Sequence, residues 1–189
     1  MANTKQYIIT SITLGIIAMA SAGLIGATNL LTRNRILQNE KDKINAGIVE
    51  IFGENSEIKE EINLTDYKYV TGVYEIQEKG DTALTGCAFK TSGSNMYGKI
   101  SMLAGFGYYT KPGSYMQELV FVDIYVVVNE QTYKSTLEDN YISKINDDDI
   151  EFDYNDVNCG ATYGAKLIRD MIDEAKQAAD SLYGKEYGE

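Results

Sequence analysis

The 189 residues contain no histidine, one proline and two cysteines. Without histidine there are no imidazole metal ligands, no Ser-His-Asp or Cys-His catalytic arrangement and no imidazole proton shuttle. Two cysteines can neither build a disulfide scaffold nor, alone, hold an iron–sulfur cluster. A single proline beside 15 tyrosines fits a chain of sheet and helix with few rigid turns. Basic charge is also scarce: 17 Lys/Arg face 28 Asp/Glu, for a net charge of −11. A nucleic-acid backbone would be repelled by that balance. A mildly negative mean hydropathy excludes a polytopic membrane protein. The length suits one domain with a real core and is short for two.

What charge there is lies unevenly. Residues 1–45 are net basic, and the acidic excess falls entirely on the rest. Between Lys5 and Arg33 lie 27 uncharged residues, mostly apolar from Tyr7 to Leu31. At about 1.5 Å per helical residue, such a run crosses a hydrocarbon core with some tilt. A secretory signal is the competing reading, because Ala18-Met19-Ala20 resembles a small-residue cleavage site. The apolar run continues past it to Leu31, longer than a signal requires, so an uncleaved anchor over 1–32 is expected. Gly15, Ala18, Ala22 and Gly26 share one thin helical face. It permits close approach of another transmembrane helix, though small residues are common in spans anyway. Arg33, Arg35, Lys41 and Lys43 follow the span, and the positive-inside rule would keep the acidic domain in the cytoplasm. Long domains can be exported despite such flanks.

A helical connector is expected over 33–60, since Ile36, Leu37, Ile44, Ile48 and Ile51 recur at near-helical spacing and the helix should end near Gly53. The domain expected over 61–189 opens on aromatic and β-branched residues, Tyr67 to Ile76, which read as strand. Further strands are expected around Leu84–Lys90, Lys99–Ala104 and Glu118–Val128. Glu78-Lys79-Gly80-Asp81 reads as a turn and Ser92-Gly93-Ser94-Asn95 as a loop. Short connections imply a mostly antiparallel sheet. A helix from about Gly160 to Tyr183 buries Leu167, Ile168, Met171, Ile172, Ala175, Ala179 and Leu182 on one face. The fold class is α+β: one transmembrane helix, one sheet domain and a C-terminal helix.

The most informative stretch is Asp156-Val157-Asn158-Cys159-Gly160-Ala161-Thr162, where that last helix begins. A first helical turn offers unpaired N–H groups and the positive dipole end, which bind phosphate. Gly160 and Ala161 leave the backbone approachable, Thr162 adds a hydroxyl, and Lys166 follows one turn later. An ordinary helix start capped by Asp156 or Asn158 explains the same residues. Asp147-Asp148-Asp149 lacks the alternation and glycine of a calcium loop and reads as a solvated acidic loop. Cys87 reads as a buried thiol, and no sequence argument sets its distance from Cys159.

The stretch resembles the flavinylation motif, Asp-x-x-(Ser/Thr)-Gly-Ala-Thr, of FMN-binding domains. These domains occur in the G subunit of Rnf electron-transport complexes and the C subunit of Na⁺-translocating NADH:quinone reductase. Asp156, Gly160, Ala161 and Thr162 match, whereas Cys159 stands where the family has a hydroxyl. The resemblance extends over most of the chain and is greatest to the Rnf G subunit, itself a span followed by such a domain. Val73-Tyr74-Glu75 and Leu84–Phe89 look like its first strand pair, and Tyr97-Gly98-Lys99-Ile100 resembles its Gly-Tyr-Gly-Gly-x-Ile segment. Val128-Asn129-Glu130-Gln131-Thr132-Tyr133 resembles its Glu-Thr-Pro segment, with Gln131 inserted or the register shifted. Lys134-Ser135-Thr136-Leu137 replaces the Gly-Leu-Gly that follows, so contacts to the flavin ring depart more than the phosphate attachment does.

The resemblance implies FMN joined to Thr162 by a phosphoester that a flavin transferase makes. Asp156, Cys159, Gly160, Ala161 and Lys166 would surround the attachment, with Tyr97, Glu130 and Thr132 beside the flavin. It further implies an electron carrier with no catalytic site of its own, held in the cell membrane by one span. Its partners would be the membrane subunits of an ion-translocating complex, and its domain would lie on the outer side. A stand-alone extracellular electron-transfer flavoprotein and a tethered binding domain with a decayed flavin site remain alternatives.

Overall fold

The computed structural model describes residues 2–110, 117–147 and 152–184. Helix α1 runs from Ala2 to Phe52 and is followed by five strands. These are β1 (Ser56–Asn63), β2 (Val70–Glu78), β3 (Leu84–Asn95), β4 (Gly98–Thr110) and β5 (Gln117–Asn129). Next come α2 (Lys134–Leu137), a π-helical turn (Glu138–Ile142), α3 (Ser143–Ile145) and α4 (Thr162–Tyr183). The chain divides into two units, Met1–Asp42 and Lys43–Glu189.

The first unit is formed by α1, the one helix among the described residues that is long and apolar enough to cross a membrane, whose last turns belong to the second unit. Its apolar side chains, among them Ile12, Leu24 and Leu31, are exposed on every side. An all-round apolar surface is what a lipid-facing helix requires. The hydroxyls of Thr10, Thr13, Thr28 and Thr32 donate to carbonyls four residues earlier, so these polar side chains carry no unmade hydrogen bond into lipid. The segment fits a single-pass membrane protein.

The second unit is a sheet between two helices. The five strands pair antiparallel in chain order. Alternation assigns the faces: Cys87, Phe89, Met102 and Ala104 look one way, Ala88 and Leu103 the other. On the first face Ala165, Ile168, Met171, Ala175 and Ala179 of α4 close the core. On the second, Ile44 and Ile48 from the last turns of α1 pack on Tyr74, Ile76, Ala88 and Leu103. Contact there is close because Gly47 has no side chain; a Cβ would come within 2.4 Å of the Tyr125 ring.

The α+β architecture and the positions of four strands agree with the sequence reading, with differences in detail. The helix ends at Phe52, and residues 56–60, part of the expected helical connector, open strand β1. A register shift between Ile58 and Glu60 breaks the alternation that would have marked it as strand. Ser92–Asn95 is strand, not loop. Pairing with β4 extends to Asn95↔Gly98, and Gly93 lies against Leu167 and Tyr69, so tertiary contact overrides a weak local preference. The first aromatic strand starts at Val70, and α4 starts at Thr162. Leu182, placed on the core face of that helix, is exposed, while Tyr183 is buried instead.

Candidate functional site

The start of α4 is built by the loop before it. Asp153 accepts hydrogen bonds from the Asn155 backbone and side chain, both at 2.9 Å. These bonds, the backbone one foremost, hold its carboxyl below the usual range. Asp156 accepts from the Asn158 amide at 3.1 Å. Two ties fasten the loop to the π-helical turn: the Asn140 side chain donates to the Cys159 carbonyl at 3.0 Å, and the Tyr141 hydroxyl donates to the Tyr154 carbonyl. Burial pushes the Tyr141 phenol well above its ordinary pKa. Gly160 then turns with φ +84°, a conformation glycine adopts without penalty. Ala161 is the N-cap, and no side chain caps the helix. The capping expected of Asp156 or Asn158 is therefore not made, and Thr162 stands exposed as the first helical residue.

The facing wall comes from the β3–β4 hairpin and the segment after β5. The Thr132 amide donates to the Tyr97 carbonyl at 2.9 Å and its hydroxyl to the same oxygen at 3.2 Å. The Glu130 amide donates to Lys99 at 2.8 Å. Buried Gln131 donates from Nε2 to the Gly98 carbonyl at 2.6 Å. Contact between the two segments is so tight that a Cβ on Gly98 would lie 2.1 Å from the Glu130 carbonyl oxygen. Asn95 joins the hairpin to the helix, accepting from the Tyr97 amide at 2.8 Å and donating to the Tyr163 carbonyl at 3.0 Å.

Between these walls is a cleft of about 270 Å³. Tyr97, Gln131, Tyr133 and Leu137 line one side, and the run from Gly160 to Gly164 lines the other. Of the residues singled out in the sequence, Tyr97, Gly160, Ala161 and Thr162 meet at this cleft. Asp156 and Cys159 lie in the loop leading to it. Thr132 turns its hydroxyl to the hairpin backbone, Glu130 meets the hairpin through its backbone, and Lys166 is exposed one turn along α4. Sequence reasoning missed Tyr163 and Gly164 as lining residues, whereas Tyr133 and Leu137 fall in the segments that resemble or replace the family's flavin-side pattern. It had Gln131 only as an insertion, and that insertion is what carries a polar side chain into the wall.

Residues 1–51 match the family model described as the RnfG N-terminal region. The amino-terminal region is thus similar to that of Rnf G subunits. No curated protein and no solved structure matches the chain. Rnf G subunits are flavin-binding members of a multi-subunit membrane complex, and the part of this chain that resembles them lies within α1. The match ends before β1, so it bears on the anchor and not on the cleft.

Two other sequence features resolve more simply. Both cysteines are free; Cys87 is buried between the sheet and α4, where burial raises its thiol pKa, and Cys159 is half-buried. Asp148 and Asp149 of the acidic run lie outside the described residues.

Proposed function

We propose that this chain is a membrane-anchored electron carrier, the G-type subunit of an Rnf-like ion-translocating complex, with FMN esterified to Thr162. The observation that carries the reading is the exposed Thr162 hydroxyl at the uncapped start of a 22-residue helix, opening onto a cleft beside Gly160. The residues present suit the phosphate end of a flavin mononucleotide. Backbone N–H groups of a first helical turn and its positive dipole end favour an anion. The ester joins Thr162 Oγ1 to phosphorus; the hydroxyl gives up its proton, and the flavin donor used by the transferase gives up its leaving group.

The flavin ring supplies the redox chemistry when bound. The chain's contribution is to hold the group at a fixed helix terminus, to restrict water at the cleft and to keep the site tethered to the membrane. Lys166 adds an exposed positive charge one turn away, a screened and modest effect. Partners are the membrane subunits of the complex and, during maturation, a flavin transferase. The sheet domain faces the outer side of the membrane, where a lost cofactor would not be replaced.

Expression in a host with a flavin transferase tests the attachment. Wild type should keep flavin fluorescence through a denaturing gel. Thr162→Val should lose it while still folding, because position 162 is exposed. Lys166→Ala and Cys159→Ser should retain it. Label that persists in Thr162→Val refutes the reading. Protease added to intact cells should remove the sheet domain; protection until lysis would overturn the outward orientation.

A further inference from the structure

Three tyrosines surround the cleft, and core packing does not account for them. Tyr97 lies 5.8 Å from Tyr133 and 5.4 Å from Tyr163, centroid to centroid, with tilted rings. Tyr133 and Tyr163 are 55% and 58% exposed, so two large rings from separate segments are held at an opening instead of in the core. Asn95 fixes the backbone at Tyr163, and the Thr132 bonds to Tyr97 fix the segment before Tyr133. Aromatic faces held this way stack on planar rings.

Gln131 adds a second, independent observation. It is 6% exposed, and its Nε2 is committed to the Gly98 carbonyl. Its Oε1 lies 3.4 Å from where a Cβ on Gly164 would stand, and no hydrogen bond reaches that oxygen among the described residues. Among the described residues Asn146 Oδ1 is the one buried side-chain polar atom without a partner, so the Gln131 oxygen is open to the cleft it lines, placed to accept a hydrogen bond from a bound group. The cleft volume of about 270 Å³ is at the small end for ligand sites, room for one ring system and not for a dinucleotide.

We propose that the cleft recognises a planar heteroaromatic ring carrying a ring N–H, with Tyr133 and Tyr163 as its aromatic walls and Gln131 Oε1 as the acceptor of that N–H. This rests on the flavin reading above and extends it. The ring is bound non-covalently first, and that binding holds the phosphate end at Thr162 for esterification. Oxidised isoalloxazine has one such ring N–H, at N3.

Riboflavin, which has the ring and no phosphate, is the probe. Full-length Thr162→Val protein in detergent, which cannot be esterified, is titrated with riboflavin and with N3-methylriboflavin, binding being read by flavin fluorescence. Riboflavin should bind, and the N3-methyl compound about tenfold more weakly, since it leaves the Gln131 oxygen unpaired. Tyr163→Leu and Tyr133→Leu, each combined with Thr162→Val, should also weaken riboflavin about tenfold. Gln131→Leu should erase the difference between the two ligands, and the N3-methyl comparison stands even if that variant folds poorly. Equal binding of the two ligands overturns the role of Gln131, and undetectable riboflavin binding overturns the whole proposal. If the wild type carries covalent flavin while Thr162→Val ignores riboflavin, only this inference fails. If riboflavin binds but the wild type never becomes labelled, the attachment reading fails instead.

Discussion

Gly98 is the position where one methyl group should do most harm. Its φ of +137° is unfavourable for any residue with a side chain. An added Cβ would lie 2.1 Å from the Glu130 carbonyl oxygen, 2.6 Å from its carbon and 3.1 Å from the Gln131 nitrogen. All three are backbone atoms and cannot rotate away. Strain of this kind costs about 1–3 kcal/mol. Relief requires the hairpin and the 130–132 segment to separate, which breaks the Glu130–Lys99, Thr132–Tyr97 and Gln131–Gly98 bonds. At about 1 kcal/mol each, losing two brings Gly98→Ala to about 3–5 kcal/mol, a large share of a typical domain's stability. Gly53→Ala is the control: φ is +91°, but nothing lies within 4 Å of the new Cβ, so only about 1–2 kcal/mol of conformational cost remains. Urea unfolding of the full chain in detergent, followed by far-UV circular dichroism, separates the two. With a slope of about 2 kcal/mol per M, the Gly98→Ala midpoint should fall by about 2 M and that of Gly53→Ala by less than about 1 M. Equal shifts would refute the close contact that builds the cleft's outer wall.

The carboxylate of Glu174 accepts hydrogen bonds from the backbone amides of Lys68, Tyr69 and Val70, clamping the start of β2 to α4. Glu174→Ala should lower stability by about 2 kcal/mol, with earlier amide exchange at residues 68–70; unchanged exchange there would argue against the clamp. Gly47→Ala drives a Cβ into the Tyr125 ring, 2.4 Å away, and should destabilise the second unit by about 1–3 kcal/mol. Gly47→Ala with Tyr125→Leu should recover part of the loss in the same urea assay. Burial holds the Cys87 thiol protonated far above neutral pH, so a maleimide at pH 8 should modify Cys159 alone in the native protein and both cysteines after unfolding. Fast native labelling of Cys87 would contradict its place under α4.

The sequence made the membrane span and α4 legible because each has a strong, simple pattern: one long uncharged run, and one apolar stripe at helical spacing. Strands β2 to β5 were legible from their aromatic and β-branched runs. Strand β1 was not, because four of its eight residues are Glu or Lys and a register shift interrupts its period. The Glu174 clamp was equally invisible, since it joins positions more than 100 residues apart. At the site, the Gly-Ala-Thr run pointed to the helix start, and the structure gathers it with Tyr97 at one cleft. Of the other side chains there, Tyr163 carries no motif of its own, and Tyr133 and Gln131 lie where the resemblance departs from its pattern. Their meeting depends on the hairpin contact at Gly98 and the close approach of Gly164 to Leu137, neither of which local spacing reveals.

Peptide mass mapping of the mature protein tests the central claim most directly. Cleavage after Lys144 and Lys166 releases residues 145–166, a peptide whose one threonine is Thr162. Covalent attachment predicts that this peptide, purified under denaturing conditions, gains the mass of one FMN less water, with the modification on Thr162. An unmodified 145–166 peptide from yellow protein matured with a flavin transferase, or the same added mass on a peptide containing Thr132, would contradict it.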